Sequence, residues 1–199
     1  MGQSKSSIHY GWIVVFGGFL TQIILMCGVQ FVPILMAPIQ ESLSLSNTSA
    51  GTIVSVFGLC YAGCSFIWGY LADKIGARTS VSLAGLVLGI AVMLFGLMAN
   101  NFLKAVIIIA LVGFGAAGVY SATIPKLIGA WFHPSKRGRA MSTITAGGVL
   151  TGAAFGILLP RLANSFGWQT AAMILGGLAV LCTIIIFLVV RNKPSEKGL

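Results

Sequence analysis

Six long apolar runs, none with a charged residue near its centre, dominate this sequence of 199 residues. They cover residues 12–36, 50–71, 79–99, 104–127, 140–160 and 168–190. A helix needs about 20 mainly apolar residues to cross roughly 30 Å of hydrocarbon, and in lipid it must satisfy its own backbone hydrogen bonds. The sequence therefore predicts an all-α membrane protein with six transmembrane helices. We expect a cytoplasmic segment at 1–11, the bundle at 12–190, and a cytoplasmic tail or the start of a linker at 191–199.

Charged residues make up only 8% of the chain, and the basic ones fall mainly on one side of the predicted membrane. With the N-terminus inside, the cytoplasmic basic residues are Lys5, Lys74, Arg78, Lys136, Arg137, Arg139, Arg191, Lys193 and Lys197, with Lys126 near that side. Lys104 and Arg161 fall outside. This distribution follows the positive-inside rule, so we expect a multi-pass protein of the cell membrane with both termini cytoplasmic. The net charge of +9 then reflects topology, and the expected partner is the lipid bilayer, not nucleic acid.

Two loop segments of the chain are similar at a distance of 91 residues. "GYLADKIGAR" occupies 69–78 and "PRLANSFGWQ" occupies 160–169, so that Asp73 aligns with Asn164 and Gly76 with Gly167. The same shift maps the first three apolar runs onto the last three. Because three is an odd number of crossings, the second unit would run in the opposite direction through the membrane, as in the inverted repeats of secondary transporters. The alternative is a chance likeness between two short glycine-containing turns.

Polar residues are concentrated in the first and fourth apolar runs, while the third and sixth are the most apolar. The polar side chains are Gln22, Gln30, Tyr120, Ser121, Thr123 and Lys126. Polar groups in a membrane normally face protein or a water-filled cavity. We therefore expect the first and fourth helices to line a path and the third and sixth to face lipid.

The loop at 69–78 resembles the signature of the major facilitator superfamily, with matches at Gly69, Leu71, Asp73, Lys74, Gly76 and Arg78. "YGWIVV", "GVQ" at 28–30, "GVY" at 118–120 and "WFHPSKRGRA" at 131–140 are similar to the oxalate–formate antiporter and monocarboxylate transporter branch. The resemblance implies secondary transport of a small organic anion, a mono- or dicarboxylate, by alternating access. Exchange and proton symport both stay open.

The resemblance also implies roles for individual residues. The loop signature would act as a conformational latch, and from its position Asp73 either caps a helix N-terminus or pairs with Arg78. The alternative is a solvated loop with ordinary topogenic charges. The expected substrate-binding residues are Gln30 and Tyr120, accompanied by Phe31, Gln22, Ser121 and Lys126.

Several of these residues have a second interpretation. Gln30 and Tyr120 could serve only helix–helix hydrogen bonds, and Phe31 could form a cavity wall or simply pack. Lys126, which follows Pro125, could attract an anion or extend toward the interface.

Glycines at two places suggest close helix packing. Gly148, Gly152 and Gly156 repeat at intervals of four, a pattern that lets helix backbones approach. "GFGAAG" at 113–118 has the spacing of a nucleotide-binding loop, but it follows no predicted strand and lies mid-membrane, so we interpret it as a packing surface. No catalytic or metal-binding constellation is evident, and we expect neither enzymatic activity nor a cofactor.

Six helices are half of the twelve that the superfamily usually contains. Three hypotheses follow. The chain is a half-transporter that needs a second six-helix half, either another copy or a separate partner chain. Alternatively, it is a truncated or split piece of a full-length transporter. In the third hypothesis it is a membrane scaffold subunit that transports nothing.

Overall fold

A computed structural model describes the backbone of residues 5–120 and 123–190 and the side chains of 13–120 and 124–190. Within these residues the regular structure consists of nine helices. They are α1 (Lys5–Val29), α2 (Phe31–Leu43), α3 (Asn47–Gly63), α4 (Ser65–Ile75), α5 (Ala77–Met98), α6 (Phe102–Val119), α7 (Thr123–Trp131), α8 (Pro134–Phe166) and α9 (Trp168–Val189). The predicted all-α class is confirmed.

The described helices form six crossings that are long and apolar enough to span a membrane. Three crossings are interrupted helices, namely α1–α2, α3–α4 and α6–α7, whereas α5, α8 and α9 are continuous. The candidate spans are Ile13–Leu43, Asn47–Ile75, Ala77–Met98, Phe102–Trp131, Pro134–Phe166 and Trp168–Val189. The number of spans agrees with the prediction from the apolar runs.

The helices extend beyond several of the expected boundaries. The first crossing continues past 36 to Leu43, where Ser44 adopts a left-handed conformation (φ 50°) and its amide donates to carbonyls of the preceding turn. The fifth begins at Pro134, not 140, and ends at Phe166, not 160. Hydropathy locates the part of a helix that lies in hydrocarbon, whereas capping groups and glycines end its hydrogen-bonded backbone.

The inverted repeat is visible in the backbone. Gly76 has φ 86° and ψ 153°, and Gly167 has φ 83° and ψ 154°; each immediately precedes a helix. This region of conformational space is essentially restricted to glycine. The two turns lie at opposite ends of the bundle, because Arg78 contacts Phe187 near the end of α9, while Gly167 precedes the start of this 22-residue helix. The predicted antiparallel relation of the two three-helix units is confirmed.

The interruptions of the first and fourth crossings also correspond. A proline is the third residue of both α2 (Pro33) and α7 (Pro125). Pro33 lacks the amide that would donate to the Val29 carbonyl, four residues earlier, and Pro125 likewise has no backbone amide to donate. No proline follows the break at Cys64 as closely: there the Ser65 hydroxyl donates to the Ala62 carbonyl at 2.7 Å, and the Cys64 amide still donates to the Cys60 carbonyl at 3.0 Å.

The third and sixth crossings pack against each other through glycines. A Cβ atom added to Gly176 would lie 2.5 Å from the Gly89 carbonyl oxygen, and one added to Gly96 would lie 2.5 Å from the Gln169 carbonyl oxygen. The opposite faces of these two helices expose large apolar side chains, including Leu97 and Leu188. One face of each helix is thus core, and the other has the apolar character expected against lipid.

The glycines of "GFGAAG" form a packing surface, as predicted. A Cβ on Gly113 would lie 2.7 Å from the Phe57 carbonyl oxygen, and one on Gly115 would lie 2.6 Å from the Leu88 amide nitrogen. The Trp68 indole N–H donates to the Phe114 carbonyl at 2.7 Å. This segment of α6 is therefore enclosed by α3, α4 and α5.

Candidate functional site

An open groove of about 600 Å³ lies between α1 and α8. Its lining residues are Gln22, Met26, Gln30, Thr145, Gly148, Val149, Gly152 and Ala153. Gln22, Met26 and Gln30 are spaced by four residues, so they follow one another on the same side of the first crossing. The predicted pair of glutamines is therefore brought to a common surface.

The two glutamines are held differently. Gln22 is 4% exposed, and its Oε1 atom has no hydrogen-bond partner among the described residues. Gln30 lies at the interruption between α1 and α2, where its amide donates to the Met26 carbonyl at 3.0 Å and its carbonyl accepts from Ile34 at 3.2 Å. Both backbone groups of Gln30 are therefore paired within the first crossing.

The glycines of α8 make room for side chains of α1. A Cβ on Gly148 would lie 2.9 Å from Cδ of Gln22, and one on Gly152 would lie 3.1 Å from Nε2 of Gln30. A Cβ on Gly156 would meet nothing within 4 Å. The packing expectation is therefore corrected: Gly148 and Gly152 face amide side chains, Gly156 faces open space, and the closest backbone contacts of the bundle lie elsewhere, as between α5 and α9.

Of the other predicted lining residues, Tyr120 reaches the edge of the groove. Its hydroxyl lies 3.4 Å from Oγ1 of Thr145, which lines the groove. Ser121 lies outside the described residues. Thr145 was not predicted from the sequence, although it precedes Gly148 by three residues and such a spacing places both on one helix face.

Phe31 does not form a wall of this groove. Its side chain is fully buried and makes an edge-to-face contact with Phe95, with ring centroids 5.2 Å apart. Successive residues of a helix differ in direction by about 100°, so the neighbour of a groove residue points elsewhere. The packing alternative is the one that describes Phe31.

The charged loop forms an ion pair with the fourth crossing. Nζ of Lys126 lies 2.6 Å from Oδ1 of Asp73 and donates to the Gly69 carbonyl at 3.2 Å. Asp73 lies in the last turn of α4, so it does not cap a helix N-terminus, and its ion-pair partner is Lys126, not Arg78. Lys126 is held here, away from the residues that line the groove. We call the end of the bundle with this pair the charged end.

Arg78 fixes the start of α5 to the last turn of α9. Its Nε donates to the Phe187 carbonyl at 2.8 Å, its Nη2 also contacts that oxygen, and the guanidinium lies 4.4 Å from the centre of the Phe187 ring. Cations near the carbonyl end of a helix are favourable. Nearby, the Lys74 ammonium lies 4.7 Å from the centre of the Tyr70 ring.

Comparison with known proteins assigns the family. Residues 18–199 match the model described as Major Facilitator Superfamily. The chain belongs to the Major Facilitator Superfamily. The relatives described below are named as transporters and not as enzymes, and this chain is a multi-pass membrane protein.

The chain is similar to several known transporters. It is 32% identical to the hexuronate transporter of Bacillus subtilis over 162 residues, which cover 79% of this chain and 37% of that protein. It is 28% identical to a probable L-galactonate transporter of Escherichia coli over 155 residues, covering 78% and 34%. The chain thus spans less than half the length of these relatives. The oxalate–formate branch stays a prediction.

Solved structures share the fold. A bacterial homologue of the human lysosomal transporter Spinster, in an inward-facing and unoccupied conformation, superposes with a TM-score of 0.80 at 21% identity, covering 96% of this chain and 45% of that one. The proton:xylose symporter XylE, bound to 6-bromo-6-deoxy-D-glucose, gives a TM-score of 0.74 at 16% identity, covering 94% and 46%. At these identities the likeness concerns the fold alone.

Proposed function

We propose that the chain is one half of a secondary transporter that moves a small organic anion, a mono- or dicarboxylate, by alternating access. The observation that carries the proposal is the groove, where two amide side chains and the Thr145 hydroxyl lie among apolar residues beside an interrupted helix. Polar groups inside a membrane are costly and mark pathways by default, and interrupted helices are where transporters form midplane sites.

The substrate class is supported by chemistry and by the relatives. Hexuronate and galactonate, named for two relatives, are carboxylates with several hydroxyl groups. The described residues that line the groove include no Asp or Glu, so no negative charge among them repels an anion. They include no Lys or Arg either; in this proposal the compensating positive charge comes from the second half or from Lys126 after its release from Asp73.

A second six-helix half is supported by the apolar surface that this chain leaves uncovered. Leu59 and Phe66 of the second crossing are each 73% exposed, and Val149 of the fifth crossing is 70% exposed. The inverted repeat relates these two crossings to each other, and the groove opens beside α8. A partner bundle would cover this surface and close the groove; another copy of this chain and a separate chain are both candidates.

The latch is part of the same proposal. The pair between Asp73 and Lys126 links α4 to α7, the end segments of two interrupted crossings. Its side chains are 70% and 37% exposed, and such pairs contribute below about 1 kcal/mol. A contribution of this size shifts an equilibrium between two conformations by only a few-fold, which allows the latch to open during each cycle.

Uptake into liposomes that contain the purified chain tests the proposal. We expect accumulation of labelled hexuronate, galactonate, oxalate or lactate, and a loss of most uptake in Gln30→Leu, because this change removes both polar atoms from the groove at nearly constant volume. Gln169→Leu, which alters a glutamine outside the groove, serves as the matched control.

Binding is measured in the same preparation, since a half that awaits a partner binds without transporting. Thermal stabilisation by a carboxylate that Gln30→Leu abolishes supports the proposal. Neither flux nor stabilisation by any of these anions, with the chain alone or with co-expressed second halves, would favour the scaffold hypothesis instead.

A further inference from the structure

We infer that the groove selects its substrate by length, because it presents two separate hydrogen-bond donor sites, one at Gln30 and one at Thr145. The ligand that fits both is an organic acid with a carboxylate at one end and a second oxygen acceptor at the far end of a six-carbon chain. The inference rests on the proposed function and adds to it a span and a second contact residue. Neither the family assignment nor the relatives assign a role to Thr145.

The first donor site is the Thr145 hydroxyl. Three other hydroxyl groups of α8, those of Ser142, Thr143 and Thr151, donate to carbonyls of their own helix. Among the described residues, the Thr145 hydroxyl contacts only the Tyr120 hydroxyl, at 3.4 Å, which is longer than the usual range of about 2.5–3.0 Å for such a bond. Thr145 is exposed and lines the groove, so its O–H is available to a ligand.

The second donor site is the side-chain amide of Gln30. This residue is partly exposed and lines the groove, and within the described residues its amide makes no hydrogen bond. The buried polar atoms that lack a partner include Oε1 of Gln22 but no atom of Gln30. A ligand in the groove can therefore reach the Gln30 amide, which offers two N–H donors, whereas the Gln22 oxygen is enclosed.

The positions of the two sites along α8 set the distance between them. A Cβ atom added to Gly152 would lie 3.1 Å from Nε2 of Gln30, so this amide is level with Gly152. Thr145 precedes Gly152 by seven residues, which corresponds to about 10.5 Å along the helix axis and nearly two complete turns. The two donor sites therefore lie on the same face of α8, and Val149 of the groove lining lies between them.

A ligand must bridge this distance with an acceptor at each end. Each acceptor oxygen lies about 2.8 Å from its donor, so the two oxygens must be about 5–10 Å apart, depending on the directions of the two bonds. An extended six-carbon chain with an oxygen at each end spans about 9 Å, whereas glycolate, with two carbons, spans about 4 Å. The longer acid satisfies both donor sites, and the shorter acid leaves one of them unpaired, which is unfavourable.

Calorimetric binding to the full chain in lipid nanodiscs tests the inference, with 6-hydroxyhexanoate, hexanoate and glycolate as probes and empty nanodiscs as the blank. Hexanoate lacks the second acceptor, and glycolate carries both end groups on a shorter chain. We expect glycolate to bind more weakly than 6-hydroxyhexanoate, and Gln30→Leu and Thr145→Val each to weaken 6-hydroxyhexanoate about fivefold. Because the hexanoate carboxylate reaches only one donor site, no more than one of the two changes should weaken hexanoate.

Two further variants of α8 separate the hydroxyl group from other effects. Thr145→Ser retains the hydroxyl and should bind 6-hydroxyhexanoate like the parent chain, which a role of the Thr145 methyl group in packing does not predict. Thr143→Val is the matched control, because the Thr143 hydroxyl donates to the Arg139 carbonyl and Thr143 does not line the groove. This variant should match the parent chain for all three probes.

The outcomes separate this inference from the proposal beneath it. Equal weakening of hexanoate and 6-hydroxyhexanoate by both changes, no effect of Thr145→Val, or equal affinity for glycolate and 6-hydroxyhexanoate overturns the selection by length and leaves anion binding intact. No binding of any probe overturns the proposed substrate class and the selection by length with it. Melting temperatures without ligand check that each variant is folded; if Thr145→Val fails that check, Thr145→Ala takes its place.

Discussion

Substitution of Gly176 by alanine should separate two helices that the structure holds at backbone contact. The new Cβ would lie 2.5 Å from the Gly89 carbonyl oxygen and 2.7 Å from the Met93 amide nitrogen, whereas ordinary contacts begin at 3.4 Å. The conflict with the carbonyl oxygen alone requires a displacement of about 0.9 Å. Because the opposing atoms are backbone, α5 and α9 must move apart as whole helices, and overpacking of this kind costs about 1–3 kcal/mol.

Gly177→Ala isolates that cost. Gly177 is the next residue of the same helix, and a Cβ there meets nothing within 4 Å. Alanine is more favourable than glycine in a helix by about 1 kcal/mol. This contribution is the same in both variants, so it cancels when their free energies of unfolding are compared. We therefore expect Gly177→Ala to be neutral or stabilising and Gly176→Ala to be less stable than it by about 1–3 kcal/mol.

The assay is reversible unfolding of the purified chain in mixed micelles by increasing amounts of a denaturing detergent. Association of helices in lipid depends on close packing more than on exclusion of water, so the effect should persist in nanodiscs. Equal stability of the two variants would refute the close contact between α5 and α9 and the account of the core that rests on it.

Three further outcomes are expected. In the same unfolding assay, Gly76→Ala and Gly167→Ala should each lower the free energy of unfolding by about 1–3 kcal/mol. The two losses should be similar, because the two glycines have nearly identical φ angles. A large difference between the two losses would contradict the repeat. Asp73→Asn should leave membrane insertion intact. A double-mutant cycle with Lys126→Met should give an interaction energy between the two side chains that is measurable but below about 1 kcal/mol. An interaction energy of zero would contradict the latch. Single cysteines at Asp73 and Asn164, in a chain without its native cysteines, should react with an impermeant maleimide from opposite sides of the membrane, and labelling from one side would exclude the topology.

Much of the architecture could be predicted because it depends on composition and local backbone rules. The absence of charge near the centres of six runs dictates the crossings, since lipid offers no alternative to helix. Gly76 and Gly167 reveal the repeat because their conformation tolerates hardly any other residue. Gln22 and Gln30 could be placed in a groove because buried amides in a membrane need a polar surface.

The contacts between distant residues could not be predicted in the same way. Lys126 meets Asp73 across 53 positions, and nothing in either local sequence distinguishes this partner from Arg78 or from the interface. The burial of Phe31 depends on Phe95, and the space beside Gly148 depends on Gln22. Such contacts depend on how the helices pack against one another, which the local sequence does not determine.

The interruption at Cys64 has no counterpart in the second unit, where the equivalent Phe155 lies inside the continuous helix α8. The turn at Cys64 separates the 11 residues of α4, which lead to the charged end, from the rest of the second crossing, whereas α8 is one helix of 33 residues that contains Pro160 in its interior. The two mouths of the bundle are therefore related by symmetry in sequence but not in backbone: the wall of one is divided into two helices at Cys64, and the wall of the other is a single helix with a proline near its end.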